Sequence, residues 1–114
     1  MIAVIFEFTP AAGRFPDYMA LVGQLRPELE KAEGFIYLER FESITAPGKF
    51  VSLQFWRDEE SVRKWRNLQQ HREAQKQGRA GIFASYRLRI AGVLRDYAMD
   101  QRVQAPRDSV AAHG

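Results

Sequence analysis

The apolar residues of this 114-residue chain recur with two different periods, and the order of these periods strongly constrains the fold. Two segments repeat apolar residues every three or four positions, which predicts helices. Four other segments alternate at every second residue, which predicts β-strands. The predicted strands are residues 2–8, 35–43, 49–56 and 83–97. The resulting order is β-α-β-β-α-β, the α+β ferredoxin-like arrangement with an antiparallel sheet.

The two predicted helices differ in length and in the signals at their ends. The first carries one apolar stripe, whose members are Phe15, Met19, Val22, Leu25 and Leu29. Gly34 provides its stop. The second helix begins near Glu59, where the charge of Asp58 suits a helix N-terminus. It carries Val62 and Trp65 at a spacing of three.

Large apolar side chains occupy both faces of the second and third predicted strands, which are joined by a TAPG turn. One face of the second strand is predicted to hold Phe35, Tyr37, Glu39 and Phe41. The third strand divides into one face with Val51, Leu53 and Phe55 and another with Phe50, Ser52, Gln54 and Trp56. Two helices cover only one face of such a sheet, so a further layer is expected on the other. We therefore predict a homodimer whose two sheets stack face to face into a barrel.

The length of the chain predicts one domain, followed by a short tail. Residues 1–97 hold all the periodic segments, whereas residues 98–114 lose periodicity and gain Pro, Gly and small polar residues. This tail is expected to be mobile or to contact a partner. The opening MIAVIFEFTP lacks the basic segment of a signal peptide, and no apolar stretch reaches the length of a membrane span. We expect a cytoplasmic protein with no membrane partner.

Composition and charge exclude several kinds of site. The chain has no cysteine, which excludes disulfides, thiolate chemistry and Cys-based metal sites. Its two histidines, His71 and His113, lack the acidic neighbours of a metal motif, so no metal site is predicted. Residues 57–96 hold ten Lys/Arg and five Asp/Glu, a charge of +5, whereas residues 1–56 carry −2. A basic helix face in contact with solvent accounts for this charge.

The positive charge of residues 57–96 and the β-α-β-β-α-β order suggest RNA binding as an alternative function. The third predicted strand, GKFVSLQF, starts like the signature of RNA-recognition domains but lacks its Gly and its second aromatic residue. The basic residues also lie mainly on the second helix, away from the sheet platform that such domains use. We therefore expect no nucleic-acid partner.

Three elements of the second half, in this order, resemble a known family. They are FWRDEESVRKW, then His71, then GRAGIFASYRLRIAGVLRDY. This order is similar to the antibiotic biosynthesis monooxygenase domain of the dimeric α+β barrel superfamily, over residues 1–97. The resemblance implies a monooxygenase that uses no cofactor and acts on a small aromatic, quinol or polyketide-like compound. Other members of the family degrade haem.

The resemblance extends to only some of the family's functional positions. Trp65 matches the helix tryptophan of the family, but Ser61 and His71 stand where the anthrone-oxidising members have Asn and Tyr. Haem-degrading members have a His about ten residues after the tryptophan, near Gln75 here. The missing ligand argues against haem, and no cofactor is expected.

The chemistry implied by the family requires a base and a polar binding site for an oxyanion. His71 is the best base, because an imidazole titrates near neutral pH. Trp65 is expected to stack on a flat substrate and to donate its N–H. Candidate hydrogen-bonding partners of the substrate are Tyr37, Asn67 and Tyr86, and an enolate could be held by Arg87 or Arg79.

Two open questions follow from the positions of Trp65 and His71. In a straight helix the two side chains would point about 240° apart. A break at Asn67 could return His71 to the inner face. The alternative is that Trp65 is only a core anchor and His71 a surface residue. The protein would then be a homodimer that binds a small ligand without catalysis.

Overall fold

The structure, a computed structural model, describes residues 1–113, except for the side chains of residues 69, 70 and 77–79. A wide turn, Gly78–Ile82, connects the third helix to the last strand. In chain order the elements are β1 (Ile2–Pro10), α1 (Phe15–Lys31), β2 (Phe35–Glu42), β3 (Phe50–Trp56), α2 (Glu59–Arg66), α3 (Gln69–Gln77), β4 (Phe83–Gly92) and α4 (Arg107–His113).

The four strands form one antiparallel sheet in the order β2-β3-β1-β4. β1 is therefore central, while β2 and β4 are the edge strands. This confirms the ferredoxin-like α+β fold. β4 is five residues shorter than predicted, since it ends at Gly92 rather than at residue 97.

The strand register assigns each side chain to one of two faces of the sheet. We call the face towards α1, α2 and α3 the helix face and the other the open face. The helix face carries Val4 and Phe6 of β1, which pair with Ile90 and Leu88 of β4. It also carries the face of β3 predicted to hold Phe50, Ser52, Gln54 and Trp56. The open face carries Val51, Leu53 and Phe55.

The predicted face of β2 is wrong at one residue. The register shifts between Phe35 and Tyr37, so Phe35 turns to the helix face and packs edge-on against Trp56. Tyr37, Glu39 and Phe41 stay together on the open face. The irregularity lets this strand place an additional aromatic ring in the core.

Leu29, Val22 and Leu25 of the predicted stripe on α1 pack in the core, which confirms them, whereas Phe15 and Met19 are exposed. Tyr18 is 5% exposed and Leu29 4%, whereas Met19 is 44% exposed. Tyr18 lies against Phe8, with ring centroids 4.5 Å apart, and its hydroxyl accepts a hydrogen bond from Arg40 Nε at 3.0 Å. A partner on β2 therefore draws Tyr18 inward, and Met19 lies outside the buried stripe.

The buried residues of the core form two separate clusters. The Trp cluster consists of Leu29, Leu38, Trp56, Val62 and Trp65. The Phe cluster consists of Phe8, Tyr18 and Ile82. On β3, Trp56 belongs to the first cluster and Phe50 packs against the second, so the intervening helix-face residues Ser52 and Gln54 lie at their junction.

The segment after β4 contains a short helix that the sequence pattern did not predict, α4. The start of this segment is held to the sheet by a hydrogen bond, in which Val93 N donates to Met1 O at 3.0 Å. Three apolar side chains between β4 and α4 are almost fully exposed, namely Leu94, Met99 and Val103. Within residues 1–113, no helix has the length and apolar character needed to cross a membrane.

Candidate functional site

The site is positioned by a break between α2 and α3 at Asn67, where the sequence allowed one. Asp58 caps the start of α2, because its Oδ1 accepts from Ser61 N at 2.8 Å. Asn67 ends the helix, with its Nδ2 donating to Arg63 O at 2.9 Å. Asn67 Oδ1 accepts from Arg72, which ties the first turn of α3 to the break. The change of direction places His71 against α2.

The rings of Trp65 and His71 are in direct contact. Their centroids are 5.0 Å apart and their planes cross at 77°, an edge-to-face arrangement. On its other side Trp65 lies 6.2 Å from the ring of Trp56. Because Trp65 is only 5% exposed, it offers little free surface to a substrate. The expected stacking platform is therefore largely covered, and Trp65 positions His71.

His71 is a half-buried base that is neutral at pH 7. Its Nδ1 is buried and has no hydrogen-bond partner among the described residues. Burial, and then the charges of Arg72 and Arg66, lower the pKa of His71 to about 4. A buried nitrogen without a partner requires an explanation. An imidazole with a free ring nitrogen, desolvated beside an indole, can accept a proton or a hydrogen bond from a bound molecule.

Two other predicted site residues, Asn67 and Tyr86, lie on the same side of the sheet as this pair but have different surroundings. The side-chain amide of Asn67 is already bonded on both sides, since its nitrogen donates to Arg63 O and its oxygen accepts from Arg72. These bonds stabilise the break between α2 and α3. Tyr86 lies on the helix face of β4 and is 59% exposed. Its ring is 5.6 Å from Phe6 and 5.8 Å from Phe83. Tyr86 thus borders the helix face at its edge strand.

The structure separates Tyr37 and Arg87 from the site. Both side chains lie on the open face, since Tyr37 pairs with Phe55 and Arg87 with Glu7. A hydrogen bond to Glu39 raises the pKa of Tyr37. Within one chain, neither residue can line a pocket with His71 across the sheet. The side chain of Arg79 lies outside the described residues.

A shallow cleft of about 270 Å³ lies at the end of the β2–β3 hairpin, and Phe41, Val51, Lys49 and Glu7 are among its lining residues. Glu7 is paired there with Lys49 at 3.5 Å and with Arg89 at 3.1 Å. Its carboxylate is neutralised by these partners. The cleft therefore contains a satisfied ion pair and not a reactive group.

The sequence reasoning missed Gln54 and Trp56 as site residues. Trp56 is fully buried, and its Nε1 donates to Gln54 Oε1 at 2.8 Å. The signal that could have indicated them was a polar residue on an otherwise apolar strand face, next to a tryptophan. Together with Trp65 and His71 they form a continuous row of contacts.

The basic residues at the start of α2 and within it, Arg57, Arg63 and Lys64, are paired with acids. Arg57 bonds Glu33 at 3.1 Å and Asp58 at 2.9 Å, and Lys64 lies 3.7 Å from Glu33. Arg63 pairs with Glu60 one turn earlier. The Arg57 guanidinium and the backbone N–H of Ser61 hold the pKa of Asp58 well below its usual range. This is the solvated helix face that the charge pattern predicted.

Comparison with known proteins connects this arrangement to one family. The sequence profile of the antibiotic biosynthesis monooxygenase family matches residues 1–77. A relative from Pyricularia oryzae, named jasmonate monooxygenase ABM, is 44% identical over 93 residues. The match covers 82% of this chain and 43% of the relative, so the chain spans less than half the length of that protein.

Solved structures show the same fold at low sequence identity. Rv0793 from Mycobacterium tuberculosis superposes with a TM-score of 0.75 at 16% identity, covering 85% of this chain and 98% of the other. SnoaB, a cofactor-independent oxygenase from Streptomyces nogalater, was solved as a mutant and gives 0.71 at 10% identity. That match covers 83% of this chain and 94% of SnoaB.

Proposed function

Because the chain belongs to the antibiotic biosynthesis monooxygenase family, we propose that it is a monooxygenase that needs no cofactor. Its substrate is a small, mainly apolar ring compound with an acidic C–H or O–H group, of the aromatic, quinol or polyketide type. The observation that carries the proposal is the buried, unpartnered Nδ1 of His71 beside Trp65. The name of the Pyricularia oryzae relative supports the reaction type and adds jasmonate as a compound to test.

In the proposed reaction, His71 takes the proton whose loss makes the substrate electron-rich. A neutral imidazole is ready to accept a proton at pH 7, and the low pKa of His71, about 4, is a consequence of its burial. A base this weak is matched to a substrate whose anion is strongly delocalised. Anthrones and quinols have this property because the negative charge spreads over a phenolate oxygen and the fused rings.

The oxidation balances without an external reductant when the reacting carbon is a ring methylene. Removal of one C–H proton gives a carbanion, which transfers an electron to O₂, and the two radicals combine to a peroxide. The peroxide takes up the proton. Loss of the second C–H proton and cleavage of the O–O bond then release water and leave a carbonyl. One oxygen atom enters the product and the other enters water, so the methylene carbon supplies all four electrons.

The surroundings of His71 support such a reaction by excluding water. Trp65 is buried against Trp56 and holds the imidazole at a fixed angle. A reactive carbanion is protected from reprotonation in a desolvated site, and charge interactions there are stronger than in water.

The experiment that tests the proposal is oxygen uptake by the purified protein with a panel of anthrones, naphthoquinols and jasmonate. We expect uptake with at least one ring compound, and a fall of tenfold or more in kcat/KM for His71→Gln. His113→Gln is the matched control, because it changes the other histidine of the chain, in α4. Trp65→Phe keeps an aromatic ring beside His71 and should lower kcat by a smaller factor.

Two outcomes would contradict the proposal in different ways. Uptake that is unchanged in His71→Gln would leave an oxygenase but remove His71 as its base. Saturable binding of ring compounds with no uptake would favour a small-ligand-binding protein of the same fold.

We also propose that the open face is the contact between two copies of this chain. It exposes Tyr37 (41%) and Phe41 (45%) next to the apolar side chains of β3. One edge of the face is basic, with Arg89 on β4, and the other holds the acidic Glu39 on β2. A two-fold axis parallel to the strands would bring β4 of one copy over β2 of the other, so Arg89 and Glu39 would approach each other.

A further inference from the structure

We propose that Gln54 is a further substrate-binding residue, which donates a hydrogen bond to a ring carbonyl or phenolate oxygen of the ligand. This inference rests on the proposed function, because it assigns a contact in the same site. It concerns recognition of an oxygen acceptor by the amide nitrogen of Gln54. Its test is a binding measurement, which is independent of any reaction with oxygen.

The orientation of the Gln54 amide is fixed by its neighbour on the strand. The indole N–H of Trp56 can only donate, so the atom 2.8 Å away must be the amide oxygen of Gln54. Trp56 is fully buried and cannot turn away. The amide nitrogen of Gln54, with its two hydrogens, therefore points away from Trp56.

This nitrogen has no acceptor in the described part of the chain. The bond from Trp56 is the only hydrogen bond of the Gln54 side chain among the described residues. The neighbours of Gln54 across the sheet are Val4 on β1 and Leu38 on β2, and neither side chain can accept a hydrogen bond. The amide nitrogen of this half-buried side chain is therefore free to donate a hydrogen bond. A bound ligand can supply the acceptor.

The position of Gln54 suits this role. It lies on the helix face of β3 between Trp56, a member of the Trp cluster, and Phe50, which packs against the Phe cluster. From Gln54 the contacts run through Trp56 and Trp65, 6.2 Å apart, to His71, 5.0 Å farther. A donor and a base thus stand at opposite ends of the tryptophan pair. As His71 removes a proton, Gln54 would stabilise the oxygen that becomes negative.

The test compares two ligands that differ in a single acceptor. 1-Tetralone carries a ring ketone, and tetralin is the same bicyclic compound without it. A ketone accepts hydrogen bonds but cannot donate them, so a preference for 1-tetralone reports a donor in the protein. The chain has two tryptophans, and their two indole N–H signals in an NMR titration give Kd for both ligands.

We expect the wild-type protein to bind 1-tetralone at least fivefold more tightly than tetralin, as one hydrogen bond would provide. Gln54→Met keeps the length of the side chain without a donor and should bring the ratio of the two Kd values close to one. Gln54→Glu, at pH 8, keeps the acceptor for Trp56 and removes the donor, so it should also lose the preference. A variant that only loosens the site would weaken both ligands alike and leave the ratio unchanged.

The inference is overturned if the wild-type protein shows no preference, if neither ligand binds up to its solubility, or if Gln54→Met retains the wild-type ratio. These results are separate from those of the oxygen-uptake experiment. A ketone preference that depends on Gln54, in a protein without oxygen uptake, would refute the proposed activity and leave the Gln54 contact established.

Discussion

The rings of His71 and Trp65 meet edge to face at a centroid distance of 5.0 Å, and the two residues belong to different helices. Their contact depends on the break at Asn67, since one continuous helix would separate the two side chains. The burial that lowers the pKa of His71 to about 4 therefore depends on how α2 and α3 are joined.

The free energy of unfolding should depend on pH through His71. The pKa of its imidazole is about 4 in the folded chain and 6.5 without burial. Between these values the unfolded chain binds more protons, so the contribution is complete above pH 6.5 and is lost as the pH falls towards 4. The loss should be roughly 1–3 kcal/mol, because the ring is only partly buried. Urea unfolding at pH 7 and pH 4.5 measures it, and a His71→Gln variant with the same pH dependence would contradict this account.

The pH profile of catalysis should show the same lowered pKa. kcat/KM reports the ionisation of the free enzyme. If His71 is the base, kcat/KM should be flat from pH 5.5 to pH 7.5 and should fall only as the pH approaches 4. Initial rates of oxygen uptake across this range test the prediction. An acid limb centred near pH 6.5 would show that the base is an unburied histidine.

Replacing Asn67 should release His71 from Trp65. Asn67→Ala removes the bond to Arg63 O and the acceptor of Arg72, so α2 is free to continue as a regular helix. We expect the pKa of His71 to move up towards 6.5 in this variant, as measured by NMR titration of the imidazole protons. Gln75→Ala is the control, because it removes another partner of Arg72 but leaves the break intact. Equal pKa values in the two variants would argue against this role of Asn67.

Gly34 should be far less tolerant of substitution than Gly13, although both have a positive φ, of +83° and +73°. A Cβ at Gly34 would overlap the side chain of Ser61, which is 2% exposed, whereas one at Gly13 meets nothing within 4 Å. Gly34→Ala should cost about 2–4 kcal/mol, from backbone strain and overpacking. Gly13→Ala should cost about 1 kcal/mol, from strain alone. Chemical denaturation of both variants gives the comparison, and equal losses would rule out the steric contribution of Ser61.

The proposed dimer should depend on the open face and not on the helices. Phe55→Arg places a charge in the centre of the apolar part of that face. Sedimentation velocity should show a dimer for the wild-type chain and a monomer for this variant. Met19→Arg adds the same charge at a residue of α1 that is 44% exposed, and it should leave the dimer intact. Dissociation in both variants, or in neither, would contradict the assignment.

Local periodicity in the sequence was sufficient to predict most of the fold. Alternation assigned Gln54 and Trp56 to one face of β3 and Phe55 to the other, and both assignments agree with the strand register. Asn67 was the residue at which a helix break could bring His71 to the inner face, and α2 does end there. These signals are local, because each depends on residues within one or two turns.

The features of the fold and the site that the sequence did not indicate depend on contacts between distant segments. Tyr18 replaces Met19 in the core because Arg40 on β2 bonds its hydroxyl. The irregularity that turns Phe35 inward is a property of the pairing of β2 with β3. Tyr37 and Arg87 were predicted near His71, but the sheet register places both on the open face. The bond between Gln54 and Trp56 involves side-chain directions that alternation alone does not specify.

Among the described residues, the large buried apolar side chains fall into the Trp cluster and the Phe cluster, with Gln54 of β3 between them. A molecule held at their junction would touch both halves, and would do so only in the folded chain. By mass action its binding would add RT ln(1 + [L]/Kd) to the free energy of unfolding. A bound ligand would thus connect the two halves of the core, and a higher ligand concentration would make the folded chain more resistant to proteolysis.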